Sequence, residues 1–429
     1  MKNLGIGLLS ILINIVIISC QVNGTNGNRQ FSVVDIEANI NNMRVINLSK
    51  FKCKIKYVVF EKEDDLHFSA LPGSRSNLFD IKENLILVSD IKKCLLYDTT
   101  GHFISAIGRQ GRGPGEYPYV TNVSIGNNKI YISNLYDLME YDTDGSYTGS
   151  YTKTFFVQNQ YFIPNWISIN DTLIFGHVSN STGNNAYKAL IINKKGNIKN
   201  SFNNYIQFGR ERTVAGIFEY YACFNHFKNL VFYKEFYNDT LFSLDASFML
   251  TPKYCFNLGR YKEPVSERAK AEDGDMMEHI YLWNVFQTQN YLFLTCDFGK
   301  IFPASRLTLK TNIFGSSTML NTSLVLGIFD INLKDLEFVC PTSADNPLFT
   351  TGLYNDIDAG PRFLPHKQIN DSTMVMWVDA KQLKEHVASD DYKNNNPKYP
   401  EKKEELEKLA RGLTDFDNPV LMFVTFSNR

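Results

Sequence analysis

The chain has 429 residues with 44 Lys+Arg against 45 Asp+Glu, and a formal charge of −1 offers no broad field to hold a nucleic-acid backbone. Hydrophobic residues at 44% exclude a wholly disordered chain and supply the material for a sizeable core. The 32 Phe and 23 Tyr favour strands, so the aromatic content points toward a β-rich body.

The N-terminus reads as an address. Met1-Lys2 carries one early positive charge, and Leu4–Ile18 is an apolar run broken only by Gly5, Gly7, Ser10 and Asn14. That run is short for a membrane span, which needs about 20 apolar residues, and it suits a signal-peptide core. It ends Ile17-Ile18-Ser19-Cys20, which resembles a bacterial lipobox: a small residue precedes the cysteine whose thiol takes the lipid. An ordinary secretory signal with an incidental cysteine is the alternative. The expected organisation is a lipoprotein signal peptide over residues 1–19, a polar Gly/Asn-rich tether over 20–30, and one domain over 31–429. Lipidation at Cys20 makes the membrane a partner and places the protein in the cell envelope, as an outer-membrane lipoprotein on either leaflet.

The body reads as repeated hairpins. Leu85–Ile107 (LILVSDIKKCLLYDTTGHFISAI) and Lys129–Tyr151 (KIYISNLYDLMEYDTDGSYTGSY) start 44 positions apart and share one plan of strand, polar break, strand, turn, strand. Each middle strand ends Tyr-Asp-x-x-Gly, at Tyr97…Gly101 and Tyr141…Gly145, where Asp caps a tight turn and Gly takes positive φ. A third copy starts at Thr172 with Asn193…Gly196 at the turn, and a looser fourth starts at Asn229. Strand pairs follow at Tyr291–Asp297 and Ser323–Val339, and then at Ser372–Val378 and Pro419–Phe426. This period with about four strands per unit predicts an all-β, six-bladed β-propeller, with units near 66–107, 118–152, 163–203, 219–258, 279–340 and 361–426. A β-sandwich is the structural alternative. The last unit is one strand short, and an N-terminal strand closes the ring, either Phe31–Ile36 or Lys54–Glu61. Glu263–His279 reads as a polar, partly helical insertion. Ser389–Gly412 reads as a helix packed on the ring's side through Leu406, Leu409, Ala410 and Leu413.

Gly108–Tyr117 (GRQGRGPGEY) follows the first unit's outer strand. It lacks the Lys-Ser/Thr of a phosphate loop and runs into a strand rather than a helix. Its glycines are expected to turn the chain tightly between blades, with Arg109 and Glu116 tying neighbouring blades together. Together with Tyr97-Asp98-x-x-Gly101-x-Phe103, this segment resembles the six-bladed β-propeller lipoproteins of Gram-negative gut anaerobes, a family similar to NHL-repeat propellers. Asn355-Asp356-Ile357-Asp358-Ala359-Gly360-Pro361 is similar to that family's Asn-Asp-x-Asp-Gly-Gly stretch, with Ala359 in place of a Gly. Asp417-Asn418-Pro419-Val420 is similar to its C-terminal Asn-Pro signature. The resemblance implies the propeller fold and an envelope location, and brings no activity with it.

No catalytic constellation emerges. The seven histidines are scattered without H-E-x-x-H spacing, no G-x-S-x-G elbow occurs, and neither Asp-rich stretch completes a calcium loop. After Cys20 the six cysteines, Cys53, Cys94, Cys223, Cys255, Cys296 and Cys340, include no C-x-x-C pair and read as buried free thiols. Trp166, Trp283 and Trp377 read as core. No cofactor and no metal are expected. The candidate ligand face carries the loops between second and third strands and between blades: Asp90, Lys92, Arg109, Arg112, Tyr117, Tyr119, Asn134 and Tyr136. Tyr and Arg together suit a sugar or peptide. The expectation is a non-enzymatic binding module for a glycan, peptide or envelope-protein partner; the alternative is a lyase- or lactonase-type propeller enzyme with an axial metal.

Overall fold

The computed structural model describes residues 31–62, 78–90, 92–134, 137–151, 157, 160–209, 221–268, 278–302, 306–313, 316–340 and 351–427. Cys20 and Tyr136 lie outside the described residues. Six sheets follow one another around a ring, each an antiparallel stack of four strands, here called a to d from the axis outward.

Blade 1 is Phe79–Lys82, Leu85–Ser89, Cys94–Asp98 and Phe103–Ala106. Blade 2 is Asn122–Ile125, Ile130–Ser133, Leu138–Tyr141 and Tyr147–Tyr151, and blade 3 is Asn165–Asn170, Leu173–His177, Tyr187–Asn193 and Ile198–Asn203. Blade 4 is Ala222–Phe227, Leu230–Glu235, Thr240–Leu244 and Leu250–Asn257. Blade 5 is Tyr281–Gln287, Tyr291–Asp297, Ser316–Asp330 and Asp335–Val339; its third strand extends beyond the blade to pair with Arg306–Ile313. Blade 6 is Lys367–Gln368, Thr373–Val378, Val420–Phe426 and Cys53–Val58.

The ring is therefore closed by Cys53–Val58, which pairs with Val420–Phe426 as the outermost strand of blade 6. Of the two N-terminal candidates the second closes the ring. The first, Ser32–Asp35, instead adds a fifth, parallel strand outside blade 4, and Met43–Arg44 does the same outside blade 5. The N-terminal segment thus covers the outer edges of three successive blades, leaving fewer open edges for stray pairing.

Alternation along each strand explains why these strands read as continuous apolar runs. In Leu85–Ser89, Ile86 and Val88 pack toward blade 6 while Leu87 packs toward blade 2. Because both faces of every blade are covered by a neighbour, both parities must be apolar. Each of the six interfaces between adjacent blades has its own core, and a small seventh cluster forms around Phe236 and Tyr281. Trp166 and Trp377 are buried in them, whereas Trp283 is half-buried and packs edge-on to Phe236 at 4.9 Å.

The helical segments sit where blade 6 connects its second and third strands: Ala380–Ala388, Asp390–Asn394 and Pro400–Arg411. Leu406, Ala410 and Leu413 extend the core between blades 5 and 6. In the insertion before blade 5 only the short helix Val265–Arg268 is described. Among the described residues no helix is long and apolar enough to cross a membrane.

Candidate functional site

Near the axis, polar side chains on the innermost strands are committed to the ring itself. An innermost strand has one open edge, and side-chain amides reach across to satisfy it. Asn122 donates to the Trp166 carbonyl (2.8 Å), Asn225 to the Val285 carbonyl (2.8 Å) and Gln368 to the Gln287 carbonyl (2.7 Å). Asp80 accepts from the Ile125 N–H (2.8 Å) and pairs with Lys367 (3.0 Å), which also donates to the Phe79 carbonyl. These contacts lock blade 1 to blades 2 and 6. Among the described residues no group of three or more His, Cys, Asp or Glu could hold a metal ion.

The described sequence-derived candidates stand in or beside the connections of blades 1 and 2, and the structure does not gather them round one cavity. Asp90 accepts from the Lys92 and Lys93 N–H groups at 2.9 and 2.8 Å, capping its turn. Asn134 is buried and accepts from the Asp137 N–H at 2.8 Å, while Tyr117 is fully buried between blades 1 and 2 with its hydroxyl donating to the Ile107 carbonyl (2.9 Å). Tyr119 is half-buried, and Lys92, Arg109 and Arg112 are exposed. Arg109 and Glu116 pair with each other at 2.6 Å, and Glu116 also accepts the N–H groups of Arg112 (3.0 Å) and Gly113 (2.9 Å). The pair closes the Gly-rich loop on itself rather than linking blades. The link between blades is made by Tyr117 and by Tyr141, whose hydroxyl donates to the Gly115 carbonyl at 3.3 Å. A Cβ on Gly111 would lie 2.0 Å from the Glu116 carboxylate, so the loop's compactness requires that glycine.

The cavity lies on the same loop face but off the axis, between blades 3 and 4 and under the connection to blade 5. It encloses about 770 Å³, within the usual range for small-molecule sites. Phe31, Phe202, Phe242, Leu250 and Leu258 form much of its apolar wall, and Tyr205 (68% exposed) stands at the rim. Six charged residues line it: Lys188, Lys234, Asp239, Lys262, Glu263 and Arg268.

Most of these charges have partners. Lys234 is buried and donates to the carbonyls of Glu235 (3.0 Å), Phe236 (3.3 Å) and Leu282 (3.1 Å). Burial pushes its ammonium down to about 8 against the attraction of Asp239. Asp239 pairs with Lys262 at 2.5 Å, yet burial still holds its carboxyl above the usual range. Arg268 lies over the rings of Tyr237 (4.2 Å) and Phe208 (4.7 Å). Burial likewise raises Glu263, opposed by the charges of Arg268 and His279, and its Oε2 makes no hydrogen bond of normal geometry.

Lys188 differs. It opens the third strand of blade 3 at an irregularity in the pairing: Tyr187 pairs with Asn203 and Ala189 with Phe202, leaving Lys188 extra. Such a bulge re-aims a side chain. The Lys188 ammonium consequently sits over the Phe242 ring of blade 4, 3.3 Å from its centroid, in a residue only 7% exposed. Sequence reading missed Lys188 and Lys234. The available signal was a lysine inside an apolar strand run (YKALIIN, VFYKEF), since lysine is almost never buried without a partner.

Five cysteines, Cys53, Cys94, Cys223, Cys296 and Cys340, are free thiols, and burial pushes Cys53 up to about 12, far from thiolate reactivity. The expectation of free thiols is met at these five described cysteines.

Comparison with known proteins gives fold and family. The exported-protein description attaches to a Bacteroides fragilis NCTC 9343 structure with TM-score 0.61 and 13% identity, covering 92% of this chain and 100% of that one. A member of the duf4221 family from Bacteroides vulgatus ATCC 8482 has TM-score 0.47 and 11% identity, covering 87% and 98% respectively. Virginiamycin B lyase from Staphylococcus aureus has TM-score 0.38 and 9% identity, covering 87% and 100%. At 13% identity the likeness to the Bacteroides fragilis structure concerns the fold alone. No curated protein matches the sequence. The family model described as "Domain of unknown function (DUF4934)" matches residues 31–425, the whole propeller, and the chain belongs to that family.

Proposed function

We propose that this chain is a lipid-anchored propeller of the cell envelope that binds a ligand in the cavity between blades 3 and 4. The observation that carries the reading is that cavity: a largely apolar pocket on the loop face, holding a buried ammonium that has no hydrogen-bonding or ion-pair partner among the described residues. Its other charges are taken up by one another, by backbone carbonyls and by aromatic rings, which is the arrangement of a binding wall. The shared fold with a protein described as exported supports the address, as does the Ile18-Ser19-Cys20 sequence. The candidate face proposed from sequence is retained, with its centre moved from the first two blades to the third and fourth.

Two experiments test the two halves. Cys20→Ala should release the protein from membranes on fractionation; a variant that still sediments with them would refute the anchor. For the cavity, Thr240 is half-buried in its wall, while its neighbour Leu241 packs away toward blade 5. Thr240→Trp should fill the space and abolish the thermal stabilisation that a panel of glycans, peptides and small amphiphiles confers on the unmodified protein. Stoichiometric calcium or zinc in the purified protein would favour the lyase or lactonase alternative instead.

A further inference from the structure

We propose that the cavity takes an amphipathic monoanion, an apolar chain headed by a single carboxylate, with Lys188 as the residue that binds the head. The proposal rests on the reading of the cavity as a binding site and adds the chemistry of its occupant. Three observations converge on it. The bulge at Lys188 turns the side chain out of the blade 2–3 interface and across Phe242 into the cavity. The residue is only 7% exposed and lines the cavity, yet among the described residues its ammonium makes no hydrogen bond or ion pair; a ring face satisfies none of its three N–H donors directionally. The surface the wall presents is more apolar than polar, with Phe202, Phe242, Leu250 and Leu258 contributing to it, so an apolar body fits beside the charge.

The partners of the neighbouring charges favour an occupant with one negative charge. Asp239 is matched by Lys262, Glu263 is opposed by Arg268, and Lys234 is held by three carbonyls. Glu235 attracts Lys188 from outside hydrogen-bonding range. A doubly charged head would leave one charge buried without a partner, whereas a carboxylate completes the Lys188 donors.

The test is calorimetric titration of the purified protein with dodecanoate and, as an uncharged counterpart, dodecanol, both below their aggregation concentrations. The expected result is tighter binding of dodecanoate. In Lys188→Met dodecanoate should weaken by about tenfold to a hundredfold while dodecanol is unchanged. Burial pushes the free Lys188 ammonium down to about 8. Since an anion selects the protonated form, dodecanoate affinity should be level near pH 7 and fall about tenfold per unit above pH 8. Lys234 titrates in the same range but remains in Lys188→Met, so a pH dependence lost in that variant belongs to Lys188. Equal binding of both amphiphiles, with Lys188→Met indifferent, would overturn the carboxylate assignment and leave the cavity reading standing. Binding of neither would overturn the assignment, and the Thr240→Trp panel then decides separately on the cavity.

Discussion

His366 is half-buried beside Trp377, with ring centroids 4.4 Å apart and its Nδ1 accepting the Trp377 backbone N–H at 3.3 Å. That geometry requires a neutral imidazole, and burial pushes the group down to about 3. Its folded value lies below its unfolded one, so between pH 6.5 and 3 the unfolded chain binds the extra proton and stability falls with falling pH. His366→Gln should lose about 1–2 kcal/mol less than the unmodified protein between pH 7.5 and 5, measured by urea unfolding. Equal losses would show that His366 does not carry this dependence. The same scale shows why individual site residues were hard to read. Tyr117 and Asn134 stand in loop sequence, and only their neighbours decide that one is core and the other a turn cap. Lys188 hides in an apolar strand because its direction depends on a bulge formed with Asn203 and Phe202, ten or more positions away.

The turn between third and fourth strands recurs as an element in blades 1 to 5. Asp98, Asn193, Asp245 and Asp330 each accept backbone N–H groups two residues on, and a positive-φ residue follows: Gly101, Gly196, Phe248 and Lys334. Blade 2 has the same backbone turn at Asp142…Gly145, with Asp144 accepting the Ser146 N–H. Where glycine fills the left-handed position the repeat was legible in sequence; with Phe248 or Lys334 there, the same turn carries no glycine to mark it. In blades 1 and 2 the glycine has a second task. A Cβ on Gly101 would lie 2.1 Å from the Val59 carbonyl oxygen, and one on Gly145 would lie 2.4 Å from that of Ala106. Each turn thus presses against the outer strand of the preceding blade, so glycine is needed both for φ and for approach. Gly145→Ala should lower stability by about 2 kcal/mol or more in urea unfolding. A change within about 0.5 kcal/mol would mean that the blades separate without strain.

At the scale of the whole molecule, the six blades and their approximate limits were legible because the second and third strands of a blade are largely covered on both faces and read as apolar runs. The choice of closing strand was not. Ser32–Asp35 and Cys53–Val58 are both short apolar-patterned strands, and only the partner edges offered by blades 4 and 6 distinguish them. The cavity was illegible for a related reason: its lining comes from blade 3, blade 4, the N-terminal segment and the blade 4–5 connection, which no linear motif unites. The ring's central polar residues hold neighbouring blades together, whereas at the blade 3–4 interface the buried Lys188 ammonium faces the Phe242 ring. The most direct measurement is the ligand-induced shift in melting temperature of Thr240→Trp against the unmodified protein. Ligands that stabilise the unmodified protein should have no effect on the filled variant while its own melting remains cooperative. Equal shifts in both proteins would place binding elsewhere and contradict the account.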